Sequence, residues 1–276
     1  MPANTSPPPE PGLTRDTLLD GRVVLWQPAQ GYRAAIDPVL LAAAVEAWAG
    51  AKVLDLGCGV GTIGLCLLAR CPKISVTGLE IEAALVALAE RNAVENRVSE
   101  NFQAYHGSVA PLAQRSLGGS SRKSGGIEAG GFDIVVSNPP YLEAGRASLS
   151  PDLGKRTTDV ESTADLETWI GAASRALKPK GALALIHRAD RLDHILTLLR
   201  GRFGGITIHP LWPKQGVSAK RVIIQARKGT ASPTQLEPGT VLHQADGQYT
   251  DVARMVLSGG ALNVRKLINK KSNKMP

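Results

Sequence analysis

The 276-residue sequence is poor in cysteine and in aromatic side chains. Its three cysteines, Cys58, Cys66 and Cys71, lie close together and have no second His/Cys cluster to complete a metal-ligand set. An odd, clustered number excludes a disulfide framework, and the spacing is not that of a zinc site, so reduced thiols and no metal are expected. Also missing is any apolar run of about 18 residues without charge, the length a membrane span needs. The most apolar stretch, 39–54, is interrupted by Glu46 and Lys52. The opening MPANTSPPPEPG has no basic segment followed by an apolar one, so residues 1–12 read as a disordered leader and not a signal peptide. Together these absences predict a soluble, cytoplasmic chain that uses no membrane. Oligomeric state is not written in the sequence, and a monomer is assumed. Aromatics make up only 4% of residues, so each Trp or Tyr beside a motif carries weight.

Charge is abundant and one-sided. The formal net charge of +8 favours an acidic partner, of which nucleic acid is the commonest. The excess concentrates late in the chain. Between His194 and Leu236 no acidic residue occurs, against Arg200, Arg202, Lys214, Lys220, Arg221, Arg227 and Lys228, and Arg265, Lys266, Lys270, Lys271 and Lys274 follow in the tail. Such a surface suits phosphate contacts, and Lys214 to Arg221 beside Trp212 is the stretch best placed for RNA. A solvated basic face is the plainer alternative.

From residue 52 the pattern alternates strand and helix. Strands are expected at 53–56, 74–80, 102–106, 132–137 and 182–187, helices at 62–70, 81–96, 166–177 and 191–200, and an antiparallel pair at 206–211 and 221–226. This predicts an α/β fold with a mostly parallel sheet and helices on both faces. Upstream, 22–26 reads as a short strand, and Asp37-Pro38 opens a helix over 39–48 with Asp37 as its cap. Residues 116–131 are rich in Gly and Ser and read as a flexible loop, and 141–164 as a long loop.

Two motifs carry chemistry. Asp55-Leu56-Gly57-Cys58-Gly59-Val60-Gly61 follows a strand and opens a helix, and Glu80 ends the next strand. Glycines allow the tight turn and close approach of a ligand; an acid at the second strand end takes ribose hydroxyls. The third glycine comes one residue early for a dinucleotide fingerprint, with Gly64 an imperfect substitute. Asp55 suits a cationic amino-acid moiety better than a pyrophosphate, which points to S-adenosyl-L-methionine. The second motif, Asn138-Pro139-Pro140-Tyr141, stands at the carboxyl end of the fourth strand, the edge where such sheets bind ligands. Its prolines make a rigid corner with free carbonyls. The Asn138 side-chain oxygen and the Pro139 carbonyl can accept the two hydrogens of an NH₂ group, and Tyr141 offers a face to a planar group. Positioning then supplies most of the acceleration. An ordinary strand-ending turn is the plainer alternative.

This combination resembles the class I methyltransferases of the amino-group type across residues 50–226. The resemblance implies a Rossmann-like, seven-stranded sheet with the last strand antiparallel, and S-adenosyl-L-methionine held by Asp55, Gly57, Gly59, Gly61, Glu80 and Asn138. Ser108 stands where an acidic adenine contact is usual. The segment from Asp20 to Ala44, with Gln27-Pro28, Gly31-Tyr32-Arg33 and Asp37-Pro38-Val39-Leu40-Leu41-Ala42, is similar to the bacterial tRNA-Val adenine-N6 methyltransferase family, as are 212–221 and 242–250. That likeness implies methylation of a tRNA adenine next to the anticodon, with Asn138, Pro139 and Tyr141 catalytic and Tyr32, Arg33, Asp37, Lys214, Lys220 and Arg221 on the substrate side. The expected organisation is a leader (1–12), an N-terminal cap over the site (13–49), a methyltransferase domain (50–228) and a C-terminal extension with a basic tail (229–276). The rivals are a release-factor-type glutamine-N5 methyltransferase, which resembles a helical N-terminal domain ahead of the catalytic one, another RNA amino-methyltransferase such as a guanine-N2 enzyme, and an inactive cofactor-binding RNA-binding protein.

Overall fold

A computed structural model describes residues 10–31, 33–113, 123–124, 126–141 and 165–262. The chain opens with a hairpin of β1 (Leu13–Leu18) and β2 (Val23–Pro28), paired antiparallel. Then come α1 (Asp37–Ala44), β3 (Lys52–Leu56), α2 (Thr62–Arg70), β4 (Ser75–Glu80), α3 (Ala83–Glu95), β5 (Phe102–His106) and α4 (Val109–Ala113). A small hairpin of β6 (Lys123–Ser124) and β7 (Ile127–Glu128) precedes β8 (Phe132–Ser137). The remainder is α5 (Leu166–Ala176), β9 (Leu177–Arg188), α6 (Leu192–Leu199), β10 (Phe203–Trp212), β11 (Arg221–Lys228), β12 (Gln235–Leu236), β13 (Thr240–Val241) and α7 (Asp251–Leu257).

One sheet organises the molecule, in the order β12-β10-β11-β9-β8-β3-β4-β5, with β13 also on β10. The pairs β4–β5, β3–β4, β3–β8 and β8–β9 are parallel, and β11 runs antiparallel between β9 and β10. This is the seven-stranded arrangement with an antiparallel last strand, extended by two two-residue strands on β10. Alternate residues feed opposite cores. Val53, Ile134, Val136, Ala184 and Ile223 pack with α1, α2, α3 and the hairpin. Leu54, Val135, Leu183, Leu185 and Ile224 pack with α5 and α6. Burial on both faces is what helix-covered parallel strands require. The order reverses at β3 beside β8, so the carboxyl ends of these two strands form the crevice where open α/β sheets bind ligands.

Several elements differ from the sequence reading. Helix α1 stops at Ala44, because its closing carbonyls are taken by other segments: Ala44 O accepts from Gln225 Nε2 at 2.7 Å and Ala43 O from the Leu262 N–H at 2.8 Å. The cap position of α1 is Ile36, not Asp37, and no side chain caps it. Where it is described, the 116–131 stretch is folded and not a loose loop. Ile127 is fully buried, and the Gly130 N–H donates to Arg175 O at 2.8 Å. The hairpin strand β1 was not expected. It is fastened by Asp16, whose Oδ2 accepts from Thr14 at 2.8 Å and from Gln27 at 2.7 Å. The leader to residue 9, Tyr32, 142–164 and the basic tail from 263 lie outside the described residues.

Candidate active site

The glycine turn links β3 to α2 through three left-handed residues, Gly57 (φ 69°), Gly59 (φ 54°) and Gly61 (φ 86°). At Gly57 a Cβ would stand 2.5 Å from the Trp169 ring, so space as well as conformation demands glycine there. The turn is anchored from beneath. Gly57 and Cys58 N–H groups both donate to Leu79 O on β4, at 2.8 and 3.1 Å. Gly64 has a different role: a Cβ would meet Phe102 at 2.7 Å and Val76 at 2.8 Å, so it serves helix-to-sheet packing.

Two carboxylates flank this turn. Glu80, buried at the end of β4, accepts the Gly59 N–H on Oε2 at 2.9 Å and the Ile81 and Glu82 N–H groups on Oε1 at 2.8 and 3.0 Å. Each oxygen keeps lone-pair capacity for hydroxyl donors. Asp55 is fully buried, and neither of its oxygens has a hydrogen-bond partner of good geometry among the described residues. Burial pushes its carboxyl up to about 8; the Gly64 N–H draws it down and the Glu80 charge pushes it further up. A buried, unsatisfied acid of this kind costs stability and is characteristic of a ligand site. Cys58 beside it is inert, its thiol pushed well up by burial.

At the end of β8, Ser137 Oγ donates to Leu56 O at 2.9 Å and locks that strand end to β3. The chain then turns through Asn138, Pro139 and Pro140 to Tyr141. Tyr141 Oη lies 2.7 Å from Asp37 Oδ2 and 2.8 Å from Asn138 Oδ1, both of them acceptors. Arg221 Nε donates to the same Asp37 oxygen at 2.9 Å, and its guanidinium lies over the Tyr141 ring, 4.6 Å from the centroid. His187, near the end of β9, meets that ring edge-on at 5.1 Å. Burial and the Asp37 carboxylate hold the Tyr141 phenol well above its ordinary value, so it stays a donor. Burial drops His187 to about 4, so it is neutral. Asp37 from α1, Asn138 and Tyr141 after β8, His187 from β9 and Arg221 from β11 thus form one cluster. The sequence reading missed His187, which follows the apolar run 182–186 of β9.

Other expected site residues lie elsewhere or are engaged. Arg33 belongs to the hairpin, donating to Thr14 Oγ1 at 2.9 Å and pairing with Asp16 at 3.2 Å. Ser108 Oγ accepts the Ala110 N–H at 3.2 Å where α4 begins, at the carboxyl end of β5. Lys214 donates to Ala245 O at 2.9 Å, and Lys220 is exposed in the turn between β10 and β11. Among the described residues no group of His, Cys, Asp and Glu could hold a metal ion, and no helix is long and apolar enough to cross a membrane.

Comparison with known proteins agrees with this architecture. A tRNA1(Val) (adenine(37)-N6)-methyltransferase of Porphyromonas gingivalis is 34% identical over 171 residues, covering 59% of this chain; the chain spans 61% of that relative's length. Its counterpart in Actinobacillus pleuropneumoniae is 25% identical over 83% of this chain and 89% of its own. A release factor glutamine methyltransferase of Bordetella pertussis is 31% identical, but over 55% of this chain and 53% of its own. Among solved structures, a protein of Agrobacterium tumefaciens described as a predicted O-methyltransferase superposes with a TM-score of 0.67 at 26% identity, over 83% of this chain and all of that one. The model of the methyltransferase small domain matches residues 35–209, which takes in α1, the glycine turn and the Asn-Pro-Pro-Tyr corner. With the sheet order, the orphaned Asp55 and the corner at β8 in agreement with it, this match shows that the chain belongs to the methyltransferase small domain family.

Proposed function

We propose that the chain is an S-adenosyl-L-methionine-dependent N-methyltransferase that methylates adenine N6 in tRNA, next to the anticodon of tRNA-Val. The observation that carries the reading is the Asn138 to Tyr141 corner, braced by Asp37 and standing at the strand end beside the glycine turn. The residues present fit the donor. Asp55 is a buried acid without a well-formed hydrogen bond among the described residues and suits its ammonium group, the turn carries left-handed glycines at 57, 59 and 61 that let its backbone approach a ligand, and Glu80 retains acceptor capacity for ribose hydroxyls. When bound, the donor supplies a methyl group on a sulfonium, ready for in-line transfer to nitrogen. Ser108, at the carboxyl end of β5, is assigned the adenine edge.

The chain's own contribution is placement. The Asn138 side-chain oxygen and the Pro139 carbonyl accept the two hydrogens of an amino group and fix its plane, which converts a bimolecular encounter into an oriented one. Arg221 covers one face of Tyr141, so a base stacks on the other. His187, lowered to about 4 by burial, is only a weak base, and the Tyr141 phenol is held protonated. Reaching a loop adenine requires unstacking it into the pocket. Tyr32, Arg33, Lys214 and Lys220 are assigned to the RNA, and Arg221 to both cluster and RNA. The reading takes 13–49 as a cap over the site, 50–228 as the catalytic domain and 229–276 as an extension, in a cytoplasmic monomer. The rival glutamine-amide reading uses the same corner. The relative of that type aligns with barely half of this chain, whereas the Actinobacillus tRNA relative aligns across most of it.

Incubation with labelled S-adenosyl-L-methionine and separate pools of unmodified tRNA, rRNA and release factors tests the reading. Label is expected in tRNA, and Asn138→Ala is expected to abolish turnover while leaving donor affinity within a few fold. Label on a glutamine side chain, or an active Asn138→Ala variant, contradicts it.

A further inference from the structure

Strand β11 is antiparallel to both β9 and β10, so β10 runs parallel to β9 and ends, at Trp212, on the same edge of the sheet as the Asn138 to Tyr141 corner. Strand β13 is parallel to β10, pairing Leu211 with Thr240 and Trp212 with Val241, so the chain after Val241 emerges on that edge too. There residues 242–250 fold back as a closed turn. The Leu242 and His243 N–H groups donate to Trp212 O and Pro213 O at 2.8 and 3.0 Å, the Gln244 N–H to Gln248 O at 2.7 Å and the Thr250 N–H to Leu242 O at 2.9 Å. His243 and Tyr249 oppose each other across the turn with their rings stacked, centroids 4.8 Å apart and planes 26° from parallel. Asp246, at the tip, accepts the Gln248 N–H at 2.9 Å.

The pair also stands on the right side of that edge. Arg221 is paired with Leu211 across β11 and β10, and directly opposed residues point to one face. That face is the one α1 covers: Leu211 is buried in the core α1 shares, and Arg221 bonds Asp37. Tyr249 packs on the same core. The stacked rings therefore lie on the side where Arg221 covers Tyr141, two strands farther along, or about 10 Å. Both rings are half-buried, Tyr249 held by the core and His243 by its Nδ1, 3.2 Å from Pro213 O. Lys214 is tied to the turn through Ala245 O at 2.9 Å, and Lys220 is exposed between β10 and β11. A fixed ring pair with cations beside it is the equipment of single-strand recognition, in which unpaired bases stack on side-chain rings and cations meet the backbone.

We infer that the 242–250 turn is a second RNA subsite: the His243 ring stacks an unpaired nucleobase one or two positions from the base held at Tyr141, with Lys214 and Lys220 on the phosphates between them. The inference rests on the reading of the crevice as an RNA adenine site. It gives the extension that follows β11 a part in substrate choice, because a duplex offers no free base face to the ring and a glutamine side chain leaves it empty.

Equilibrium binding of an unmodified tRNA-Val transcript to the full chain, at one fixed salt concentration, tests this with two variants that separate the ring from its hydrogen bond. His243→Gln keeps a donor for Pro213 O and has no ring; His243→Phe keeps the ring and has no donor. The Gln variant is expected to bind the transcript at least about fivefold more weakly, the low end for losing one stacked base, and the Phe variant to stay within about twofold of wild type. A ring that only braces the turn gives the reverse order, and that result overturns the inference, as does wild-type affinity in both variants. Transcripts lacking a single base, at each of the two positions on either side of the target adenosine, locate the partner. One of them is expected to weaken binding to wild type and to leave the Gln variant unaffected; equal penalties in both proteins at every position overturn the inference. At saturating RNA the Gln variant is expected to keep kcat within about threefold, with the loss in KM, because the stack is made equally before and during transfer. A wild-type chain that binds the transcript and methylates no RNA contradicts the functional reading, while the binding comparisons, which need no turnover, still decide the subsite. A wild-type chain that does not bind the transcript overturns the subsite.

Discussion

Asp55 sits with both oxygens out of water and without a well-formed hydrogen bond among the described residues, so the chain holds it largely as a neutral acid at neutral pH. Its pKa is raised from the ordinary value of 3.8 to about 8. Between those limits the folded chain keeps a proton that the unfolded chain has lost. The stability contributed is fully present below about pH 4 and disappears as pH rises through about 8. Asp55→Asn is isosteric and cannot ionise, so its melting temperature is expected to rise relative to wild type between pH 5 and pH 9. A constant difference across that range would falsify the assignment. For the same reason wild-type affinity for the cationic donor should strengthen as pH approaches about 8, and the Asn variant should lose that slope. Sequence alone pointed to Asp55 because its place before the glycines is chemically distinctive. It left Asp37 undecided between a helix cap and a site residue. The deciding contacts, to Tyr141 and Arg221, come from segments more than a hundred positions away.

The elements of the sheet were legible where hydrophobic pattern and length agreed. The strands at 102–106 and 132–137 were expected with the bounds they have. The strand β1 escaped notice because LTRDTL, with Arg15 and Asp16 at its centre, has no clean alternation. What pairs its partner β2 to the body is equally hard to read, since it is two helix side chains. On α3, Asn92 and the residue just past its end, Asn96, lie one turn apart and copy the edge of a strand. Asn96 accepts the Val24 N–H at 2.8 Å and returns a bond to Val24 O at 2.6 Å. Fully buried Asn92 accepts the Trp26 N–H at 2.7 Å and donates to Trp26 O at 2.9 Å and to Val60 O, in the glycine turn, at 3.0 Å. Removing Asn92 strands three buried backbone groups. Asn92→Ala is therefore expected to lower unfolding free energy by about 2–4 kcal/mol in denaturant titration, from unsatisfied groups at about 1–3 kcal/mol each. Asn96→Ala, less buried, should cost about 1 kcal/mol. A loss below about 0.5 kcal/mol for Asn92→Ala contradicts the strand-mimic role.

At the scale of the whole molecule, the segment after α7 is fastened to the hairpin and to α2. Arg22, after the hairpin turn, donates to Ser258 O at 3.0 Å, and Arg70 on α2 donates to Gly259 O at 2.8 Å and Gly260 O at 2.6 Å. None of this was legible beforehand. Residues 229–262 give little periodic signal and are ordered by joining β10 as β12 and β13 and by packing α7 near α1. Charge is the other whole-molecule property. With a net +8 and an exposed basic turn between β10 and β11, RNA affinity should fall with salt. Lys220→Ala is expected to lower the slope of log affinity against log salt by roughly 0.7–0.9, the share of a single phosphate that the lysine no longer neutralises. An unchanged slope removes Lys220 from the interface. The central claim, that Asn138 to Tyr141 present an RNA adenine nitrogen to a methyl donor, is tested most directly by nucleoside mass spectrometry. An unmodified tRNA-Val transcript would be digested after incubation with the full chain and S-adenosyl-L-methionine. The account predicts a single N6-methyladenosine, derived from the adenosine 3′ of the anticodon and absent when that base is replaced by guanosine. Methylguanosine, or an unmodified transcript from a chain that methylates a glutamine side chain, would contradict it.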